Sequence, residues 1–574
     1  MTAAIRALTF LIVFFSGSTL AAQDSGSSIA ARFDDLLAPI NKIASDIIFF
    51  SVPIAGTDLP IVLVVLGGTA IFLTVYFKFI NLRGFGVALR TVRGKYTEAD
   101  SPGEITHFQA LSAALSATVG LGNIGGVAIA IGLGGPGATF WMIVMGLCGM
   151  TTKFAECTLG VKYRRITPEG KVRGGAMYYL SDGFAERGLK LFGQILAVFF
   201  AIFVIGGAFG AGNMYQSNQA FSQLASTIGI EEAETGRAGF IFGVTLAVVV
   251  GLVIIGGIVW IARVTAFLVP FMCGAYMLTA LIIIIANLGE VIPALGLIVT
   301  SAFSPVAIGG GIVGVLIQGI KRAAFSNEAG LGSAPIAHSA VKTKRPASEG
   351  FVALLEPFVD TVVVCTMTAL VIVITGTWRV NSEVTTESAN LLQAPGSAEV
   401  LQPLETGQFV QTRDVEGEFT EVVALVSSDA YEASEVSGWV ASENLADRKG
   451  VTVTSKAFGS VLPWFPVLLT LAVVLFAFST MISWSYYGEQ GVSYLASPLG
   501  ETGVKVSVLI YKVVFCFLIV IGAVASLNNV LGISDAMIFA MVIPNLVGLY
   551  FLLPVIRKET DSYLAHVKET DGKG

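Results

Sequence analysis

Charged residues are scarce in this 574-residue chain. Asp, Glu, Lys and Arg make up 13% of it, against about 25% in ordinary soluble domains. Hydrophobic residues reach 54%, and the mean hydropathy is +0.78. A soluble fold cannot cover so much apolar surface with so few polar side chains. The composition therefore excludes a soluble protein and predicts a polytopic membrane protein in a lipid bilayer.

Metal-binding residues are also few. The five cysteines lie singly in apolar segments without a CxxC pair, and His107, His338 and His566 are far apart in the sequence. The ligand spacings of zinc sites are therefore missing, and we interpret the cysteines as buried single thiols. No nucleic-acid partner is expected. The sequence does not indicate whether the protein is a monomer or an oligomer.

The amino terminus is typical of an exported protein. Residues 1–22 combine one arginine, a short apolar core and a small-residue exit, which predicts a secretory signal peptide. An uncleaved anchor is the alternative. Residues 23–58 would then be extracytoplasmic, with an amphipathic helix at 29–51 lying on the outer surface.

Long apolar runs are what the chain has in abundance. A search for stretches near 20 residues predicts eleven membrane spans, numbered here in chain order. They are 59–80, 106–133, 136–161, 190–224, 239–261, 264–287, 309–338, 349–377, 461–487, 504–525 and 530–556.

Loop charges orient these spans. Lysine and arginine cluster after spans 1, 3, 7 and 11, whereas residues 379–459 hold thirteen acidic and five basic residues. Basic loops stay in the cytoplasm. This pattern predicts an outer amino terminus and a cytoplasmic tail at 557–574, in the bacterial inner (plasma) membrane.

Residues 379–459 differ in composition from everything around them. The stretch GQFVQTRDVEGEFTEVVALVSS alternates polar and apolar residues, as β-strands do, and SGWVASENL is similar to the closing strand of bacterial SH3-like domains. We predict a small exported β insertion. A solvated loop is the alternative.

Glycines interrupt span 2. Gly120, Gly122 and Gly125 fit the G-x-G-x-x-G pattern, but the next acidic residue, Glu156, lies 31 positions past Gly125. Dinucleotide-binding folds need one about 20 positions on, so that function is excluded. FSNEAGLGSAP (325–335) similarly interrupts span 7. Polar interruptions at membrane depth line a cavity or are buried in protein, although close helix packing would explain span 2 alone.

The two interruptions occupy matching positions. Without span 1, the chain divides into 106–287 and a second set formed by 309–377 and 461–556. Each set has five spans, opens with an interrupted helix, and runs opposite to the other. Such inverted repeats mark secondary transporters that bind substrate near the midplane. The predicted fold is an all-α membrane protein with a five-plus-five inverted repeat, two broken helices and one extra amino-terminal helix.

The breaks suggest a site for a zwitterion. The half-helix from Asn123 directs its positive end to the midplane, so the N–H groups around Gly120, Leu121 and Gly122 suit a carboxylate. The carbonyls that end the first half of span 7, near Phe325 and Ser326, suit an ammonium group.

Two further spans offer side chains to this site. Gln216 lies in the middle of span 4, where a hydrogen bond between helices is the alternative. Thr480 and Trp484 lie one turn apart in span 9. We expect Trp484 to limit the pocket to small substrates, with an interfacial anchor as its alternative.

Several charged residues lie within spans, where they are costly and usually functional. Glu356 and Asp360 are one turn apart in span 8. Further predictions concern pairing. Lys153 and Glu156 are expected to form a structural ion pair, and Glu328, in the span 7 break, is expected to brace that break with Lys321 and Arg322 neutralising it.

Several long motifs occur together and in order: TVGLGNIGG, KFAECTLGVKYR (153–164), GGAMYYL (174–180), GNMYQSN (212–218), FSNEAGLGSAPIAHSA (325–340) and FSTMISWSYYGE (478–489). They resemble the alanine-or-glycine:cation symporters over nearly the whole chain outside the signal peptide and the insertion. The resemblance implies a leucine-transporter-like fold, no enzyme activity, and sodium-driven uptake of small neutral amino acids such as alanine and glycine. It favours substrate contact for Gln216.

The resemblance also implies the coupling-ion site. The carbonyls of Ser116 and Val119 and the hydroxyls of Ser479 and Thr480 would bind sodium between spans 2 and 9. Asn123 would support a second sodium site or brace the break. The rival functions are proton-coupled symport through Glu328, Glu356 and Asp360, a membrane sensor that uses the insertion, and a channel.

Overall fold

A computed structural model describes residues 45–572, together with 39 and 42. The described range leaves out 55–56, 99, 231–234, 305–310, 463 and 526, and within the insertion 380–381, 385, 387–388, 398, 406–407, 417, 426–434 and 448–449. The predicted signal peptide and most of the predicted surface helix at 29–51 lie outside the described residues. A β-hairpin of Ser51–Ile54 (β1) and Thr57–Pro60 (β2) precedes span 1.

The described residues are mostly helical. Eight of their helices are long and apolar enough to cross a membrane, or nine if one bent pair counts as a single span. The eight are Gly137–Lys162, Lys190–Ile228, Thr235–Ile254, Gly257–Ala286, Pro346–Ile374, Phe465–Leu495, Ser497–Val524 and Val530–Asp571. Span 1 is the shorter helix Ile61–Tyr76. The count of eleven and the inverted repeat stay predictions.

Span 2 is the bent pair. Its first half, His107–Thr118, starts with a capping box in which Thr106 and Gln109 each bind the other's backbone N–H. The chain leaves this helix at Val119, makes a π-helical turn at Gly122–Gly126, and continues as Val127–Gly134. The two halves meet at 52°. The glycine-rich run therefore breaks the helix, as predicted.

Span 7 is also interrupted where the sequence predicted. The helix Gly311–Asn327 ends before Glu328, and the short helix Ala334–His338 follows with Pro335 in its first turn. Glu328 has a φ of 57° and Gly330 a φ of 90°. These left-handed residues cannot continue a helix, so the backbone turns away within the protein.

Helix boundaries differ from the sequence prediction in three places. The break between spans 5 and 6 falls at 255–256 rather than near 262. A further helix, Leu288–Ala302, follows span 6; at 15 residues it is too short for a search based on spanning length. The predicted tail 557–574 is largely helical, because Val542–Asp571 is one continuous helix. Ion pairs from Lys162 to Glu559 and from Arg90 and Lys95 to Asp571 hold it against the other helices.

The strands Arg165–Ile166 (β3) and Val172–Arg173 (β4) precede the insertion, and the insertion contains a seven-stranded antiparallel sheet. Its strands are Ser382–Val384, Asn390–Leu392, Val400–Pro403, Phe409–Glu416, Phe419–Leu425, Glu435–Ala441 and Leu445–Asp447, numbered β5 to β11. They lie in the order β11-β5-β8-β9-β10-β6-β7. It has its own apolar core, which includes Val410, Val422 and Val440. The alternating pattern thus correctly indicated β structure. The SH3-like topology stays a prediction.

Shorter elements complete the described chain. They are the helices Ile80–Arg83, Phe85–Val92, Ala176–Ala185, Leu355–Pro357, Val451–Gly459 and Leu527–Ala540, the strands Arg165–Ile166 and Val172–Arg173, and the 3-10 turns Thr377–Arg379, Ser442–Asn444 and Ser497–Leu499. Within the longer helices, π-helical turns occur at Gly210–Met214 and Phe358–Cys365.

Candidate functional site

Two unpaired side-chain oxygens meet at the break in span 2. A Cβ atom on Gly120 would lie 2.6 Å from Thr480 Oγ1 and 3.5 Å from Gln216 Oε1. Both oxygens are buried, and neither has a hydrogen-bond partner among the described residues. Buried polar atoms are normally paired. The predicted residues from spans 2, 4 and 9 therefore surround a place that suits a polar ligand, and only glycine leaves room for it at position 120.

The break in span 2 lies next to the end of the first half of span 7. A Cβ atom on Gly122 would lie 3.5 Å from Ser326 Cα and 3.7 Å from Phe325 Cδ1. Asn123 Oδ1 accepts the N–H of Gly120 at 2.8 Å. Within the described residues, the N–H groups of Leu121 and Gly122 show no such bond. The backbone segments of the predicted carboxylate donors and the predicted ammonium acceptors are therefore close neighbours.

Asp360 connects the two breaks from span 8. Its Oδ1 accepts from Asn123 Nδ2 at 2.5 Å, and its Oδ2 accepts from Ser326 Oγ at 2.8 Å and Thr361 Oγ1 at 2.7 Å. The carboxyl group is fully buried, and no cation lies within salt-bridge distance of it in the described part of the chain. A buried carboxylate held only by neutral donors is costly, so this group favours a bound cation or a proton.

The predicted sodium-site residues of spans 2 and 9 are in direct contact. Ser116 Oγ donates to the backbone oxygen of Ser479 at 2.6 Å. Ser479 Oγ donates to the Phe476 carbonyl at 3.0 Å. Val119 lies one residue beyond its helix, with a φ of −75° and a ψ of 94°. The structure thus brings Ser116, Val119, Ser479 and Thr480 to one junction of two spans.

Trp484 is buried against span 4. Its side chain is 2% exposed, and a Cβ atom on Gly212 would lie 2.3 Å from Trp484 Cβ. Its indole Nε1 donates to Glu328 Oε1 at 3.0 Å. A side chain so enclosed does not lie at the membrane surface, as an interfacial anchor would. Its role as a size filter stays a prediction.

Two predicted ion pairs are wrong. Lys321 and Arg322 both bind Asp535, at 2.8 and 2.9 Å, and not Glu328. The left-handed turn at Glu328 directs its carboxylate to Ser333 and Trp484 instead. The bonds of Glu328 fit the predicted bracing role, with neutral partners in place of the two cations.

Lys153 also has a different partner from the predicted one. It binds Glu356 Oε1 at 2.9 Å across the interface of spans 3 and 8. Glu156 accepts from Asn545 Nδ2 at 2.5 Å and from the N–H of Gly332 at 3.0 Å. Because neighbouring helices bring these partners closer, the pair three residues apart on span 3 does not form.

The last part of the predicted insertion belongs to the helical domain. The helix Val451–Gly459, here called the plug helix, packs directly on the break in span 2. Thr454 Oγ1 donates to the Ile124 carbonyl at 2.9 Å, and Phe458 stacks on Phe465 with ring centroids 4.7 Å apart. A Cβ atom on Gly125 would lie 2.9 Å from Val451 N. The β insertion therefore ends before residue 451, and the plug helix belongs with the membrane helices, packed on the break in span 2.

A buried polar site between two interrupted membrane helices defines the chain as a membrane transport protein. The sequence profile of the Sodium:alanine symporter family matches residues 48–402 and 393–573. The chain belongs to the sodium:alanine symporter family. Membership identifies it as a cation-coupled amino-acid symporter.

Individual relatives agree with this membership. The Sodium/alanine symporter AgcS of Methanococcus maripaludis is 38% identical over 505 residues, covering 88% of this chain and 94% of that protein. An uncharacterized transporter of Haemophilus influenzae is 35% identical over 514 residues, covering 88% and 93%. Among solved structures, MhsT in complex with L-phenylalanine aligns with 80% of this chain and 99% of its own, at 12% identity and a TM-score of 0.44.

Proposed function

We propose that this protein is a sodium-coupled symporter that carries small neutral amino acids, alanine and glycine, into the cell by alternating access. The observation that carries the proposal is the meeting of the unpaired oxygens of Gln216 and Thr480 at Gly120, between two broken helices. The similarity to the sodium/alanine symporter of Methanococcus maripaludis supports alanine as substrate.

In the proposed complex, the substrate lies between the two breaks. The N–H groups of Leu121 and Gly122 bind its carboxylate, since backbone donors at the start of a half-helix favour negative charge. The carbonyls of Phe325 and Ser326 and the oxygen of Gln216 accept from its ammonium group. The large indole of Trp484 leaves room for a hydrogen or a methyl side chain only.

The proposed sodium site lies at the junction of spans 2 and 9. Its ligands are the carbonyls of Ser116 and Val119 and the hydroxyls of Ser479 and Thr480, which are hard oxygen donors of the kind that sodium prefers. The unpaired Thr480 oxygen, next to Gly120, supports this assignment. Because these ligands come from two spans, a bound ion would stabilise the contact between them. Thr480 would then link the ion to the substrate.

A second cation is proposed at Asp360. Asn123 and Ser326 each belong to one break, and Asp360 hydrogen bonds to both. A sodium ion there would neutralise the carboxylate and join the two breaks at once. A proton on Asp360 is the second candidate, because the same neutral surroundings favour the protonated acid. That reading gives a proton-coupled symporter.

The proposed cycle uses the predicted topology. The basic loops face the cytoplasm, the β insertion faces the outside, and the protein lies in the bacterial inner membrane. In this arrangement the plug helix lies on the outer side of the substrate and closes that route. The inverted repeat would supply the second, inward-open state.

The test uses the purified full chain in proteoliposomes that contain no alanine at the start. Uptake of labelled alanine is measured with a sodium gradient, with a pH gradient, and with neither. The proposal predicts uptake that follows sodium and stops when sodium is replaced by choline. Uptake that follows the pH gradient alone would favour the proton-coupled alternative, and equal uptake without either gradient would contradict symport.

A further inference from the structure

Two imidazoles share one buried carboxylate at the ends of the two broken helices. His107 is the first residue of the helix His107–Thr118, and His338 is the last residue of Ala334–His338. His107 Nδ1 contacts one oxygen of Glu349, and His338 Nδ1 lies 2.7 Å from the other. His338 and Glu349 are fully buried, and His107 is 4% exposed. Glu349 therefore links half-helices from both breaks.

The opposite edge of His338 faces a second carboxylate. Its Nε2 lies 3.5 Å from Glu356 Oε2. Neither of these two buried atoms has another partner among the described residues. The other oxygen of Glu356 binds Lys153 Nζ at 2.9 Å. The set His107, His338, Glu349 and Glu356, here called the clasp, thus joins spans 2, 7 and 8, and Lys153 extends it to span 3.

The hydrogen-bonding chemistry of the clasp requires an extra proton. An ionised carboxylate only accepts hydrogen bonds, and a neutral imidazole carries one N–H. Because both nitrogens of His338 face carboxylate oxygens, the doubly protonated imidazolium is the form that fits. With it, the charges of Glu349, Glu356, Lys153 and His338 sum to zero. Without this extra proton, the four groups carry a buried net negative charge, and a lone pair of His338 Nε2 faces a lone pair of Glu356 Oε2.

Further titratable groups surround the clasp. The carboxylates nearest to the clasp favour protonation of His338 electrostatically, whereas one arginine disfavours it. The groups with electrostatic contact are Glu156, Glu328, Asp360, Cys157, Tyr487, Tyr563 and Arg164. Arg164 also donates to the carbonyls of Ser339 and Thr343, at 2.7 Å each, which places the clasp beside the basic loops.

We propose that the clasp is a proton-binding site that keeps the cytoplasmic end of the transport path closed. The proton is bound while His107 and His338 share Glu349, and it leaves when the two half-helices separate. This inference rests on the proposed alternating access. The clasp shares no residue with the proposed sodium or substrate sites, so its proton is an additional ligand, distinct from the coupling cation.

The test varies the pH inside proteoliposomes whose protein has its basic loops inside. Saturating sodium and alanine are used outside, so that the turnover rate is measured rather than binding. Because one proton is released on opening, the opening equilibrium changes by at most about tenfold per pH unit. We expect turnover to rise severalfold between pH ~7 and ~9, because the carboxylates on both sides of His338 retain its proton beyond the range in which an isolated imidazole titrates.

Variants separate the clasp from a general pH effect. His338→Gln cannot hold the proton, and its turnover should no longer depend on internal pH. His566→Gln, on the carboxy-terminal helix and outside the clasp, should retain the parent profile. The inference would be overturned if the turnover of the parent did not depend on internal pH. It would also be overturned if turnover of His338→Gln depended on internal pH in the same way as that of the parent.

A second measurement uses the parent protein and therefore does not depend on whether the His338→Gln variant folds. Amide hydrogen exchange of Ala334–His338 is followed in the parent protein in detergent at several pH values and corrected for the intrinsic effect of pH. The corrected exchange should accelerate as the proton is lost, and constant corrected exchange would overturn the clasp. Because this readout needs no transport, it stands even if sodium-driven uptake, and with it the proposed function, fails.

Discussion

The side-chain amide of Asn123 donates to Asp360 Oδ1 at 2.5 Å and to the Asp360 carbonyl at 3.1 Å. Asn123 lies in the break of span 2 and Asp360 in the π-helical turn of span 8. The same carboxylate also accepts from Ser326 in the break of span 7. One acidic side chain therefore holds both interrupted helices, and its charge state bears directly on how they are arranged.

Replacing Asp360 by Asn should weaken cation coupling. The amide keeps the size of the side chain but loses the negative charge, so we expect the sodium concentration for half-maximal uptake to rise at least about tenfold, or about 1.4 kcal/mol. Sodium titrations of alanine uptake check this. Asp182→Asn is the matched control, because Asp182 pairs with Arg165 in a partly exposed ion pair away from the site. Unaltered sodium dependence in Asp360→Asn would remove Asp360 from the cation site.

The double substitution Ser479→Ala with Thr480→Ala should raise the half-maximal sodium concentration through the loss of two oxygen ligands. Ser485→Ala is the control on the same helix, since Ser485 Oγ donates only to the nearby Ile482 carbonyl. We expect normal sodium dependence in that control. A folded double variant with the sodium dependence of the parent would place the ion elsewhere.

Trp484→Leu should admit larger neutral amino acids. Each buried CH₂ of a longer substrate contributes about 0.8 kcal/mol, so leucine should compete severalfold better against labelled alanine. Trp484→Phe keeps the six-membered aromatic ring but loses the five-membered ring and the N–H that binds Glu328, so it should relax the preference for alanine less than Trp484→Leu does. Equal competition by leucine in the Leu variant and the parent would show that Trp484 does not line the pocket.

The β insertion should be dispensable, whereas the plug helix should not. Residues 385–444 are replaced by a Gly/Ser linker that retains the plug helix, and sodium-driven uptake should persist. Phe458→Ala removes the ring that stacks on Phe465 and Tyr276, and a large-to-small core change costs about 3–5 kcal/mol. We expect it to impair closure and lower sodium-driven uptake. Loss of uptake in a folded linker variant would assign the sheet a part in the cycle.

The sequence predicted the breaks in spans 2 and 7, because clustered glycines and polar residues at membrane depth leave few alternatives. It also predicted that Gly120, Gln216 and Thr480 belong to one site, and the family resemblance favoured Gln216 as a member of it. It missed the partners of Lys153, Arg322 and Asp360. Spacing along one helix shows which residues share a face, but these three bonds depend on which faces of different spans meet. The plug helix was assigned to the insertion for a related reason. Its packing against Ile124 and Phe465 is a tertiary contact that its own short sequence does not predict.

Sodium-driven counterflow is the most direct test of sodium-coupled alanine transport by this protein. Proteoliposomes containing the full chain are loaded with unlabelled alanine, and entry of labelled alanine is followed with sodium or choline on both sides. Subsequent addition of an inward sodium gradient measures net accumulation. If transport is coupled to sodium, exchange requires sodium, and accumulation collapses when the sodium gradient is dissipated. Exchange of equal rate in choline, without accumulation under a sodium gradient, would contradict sodium coupling.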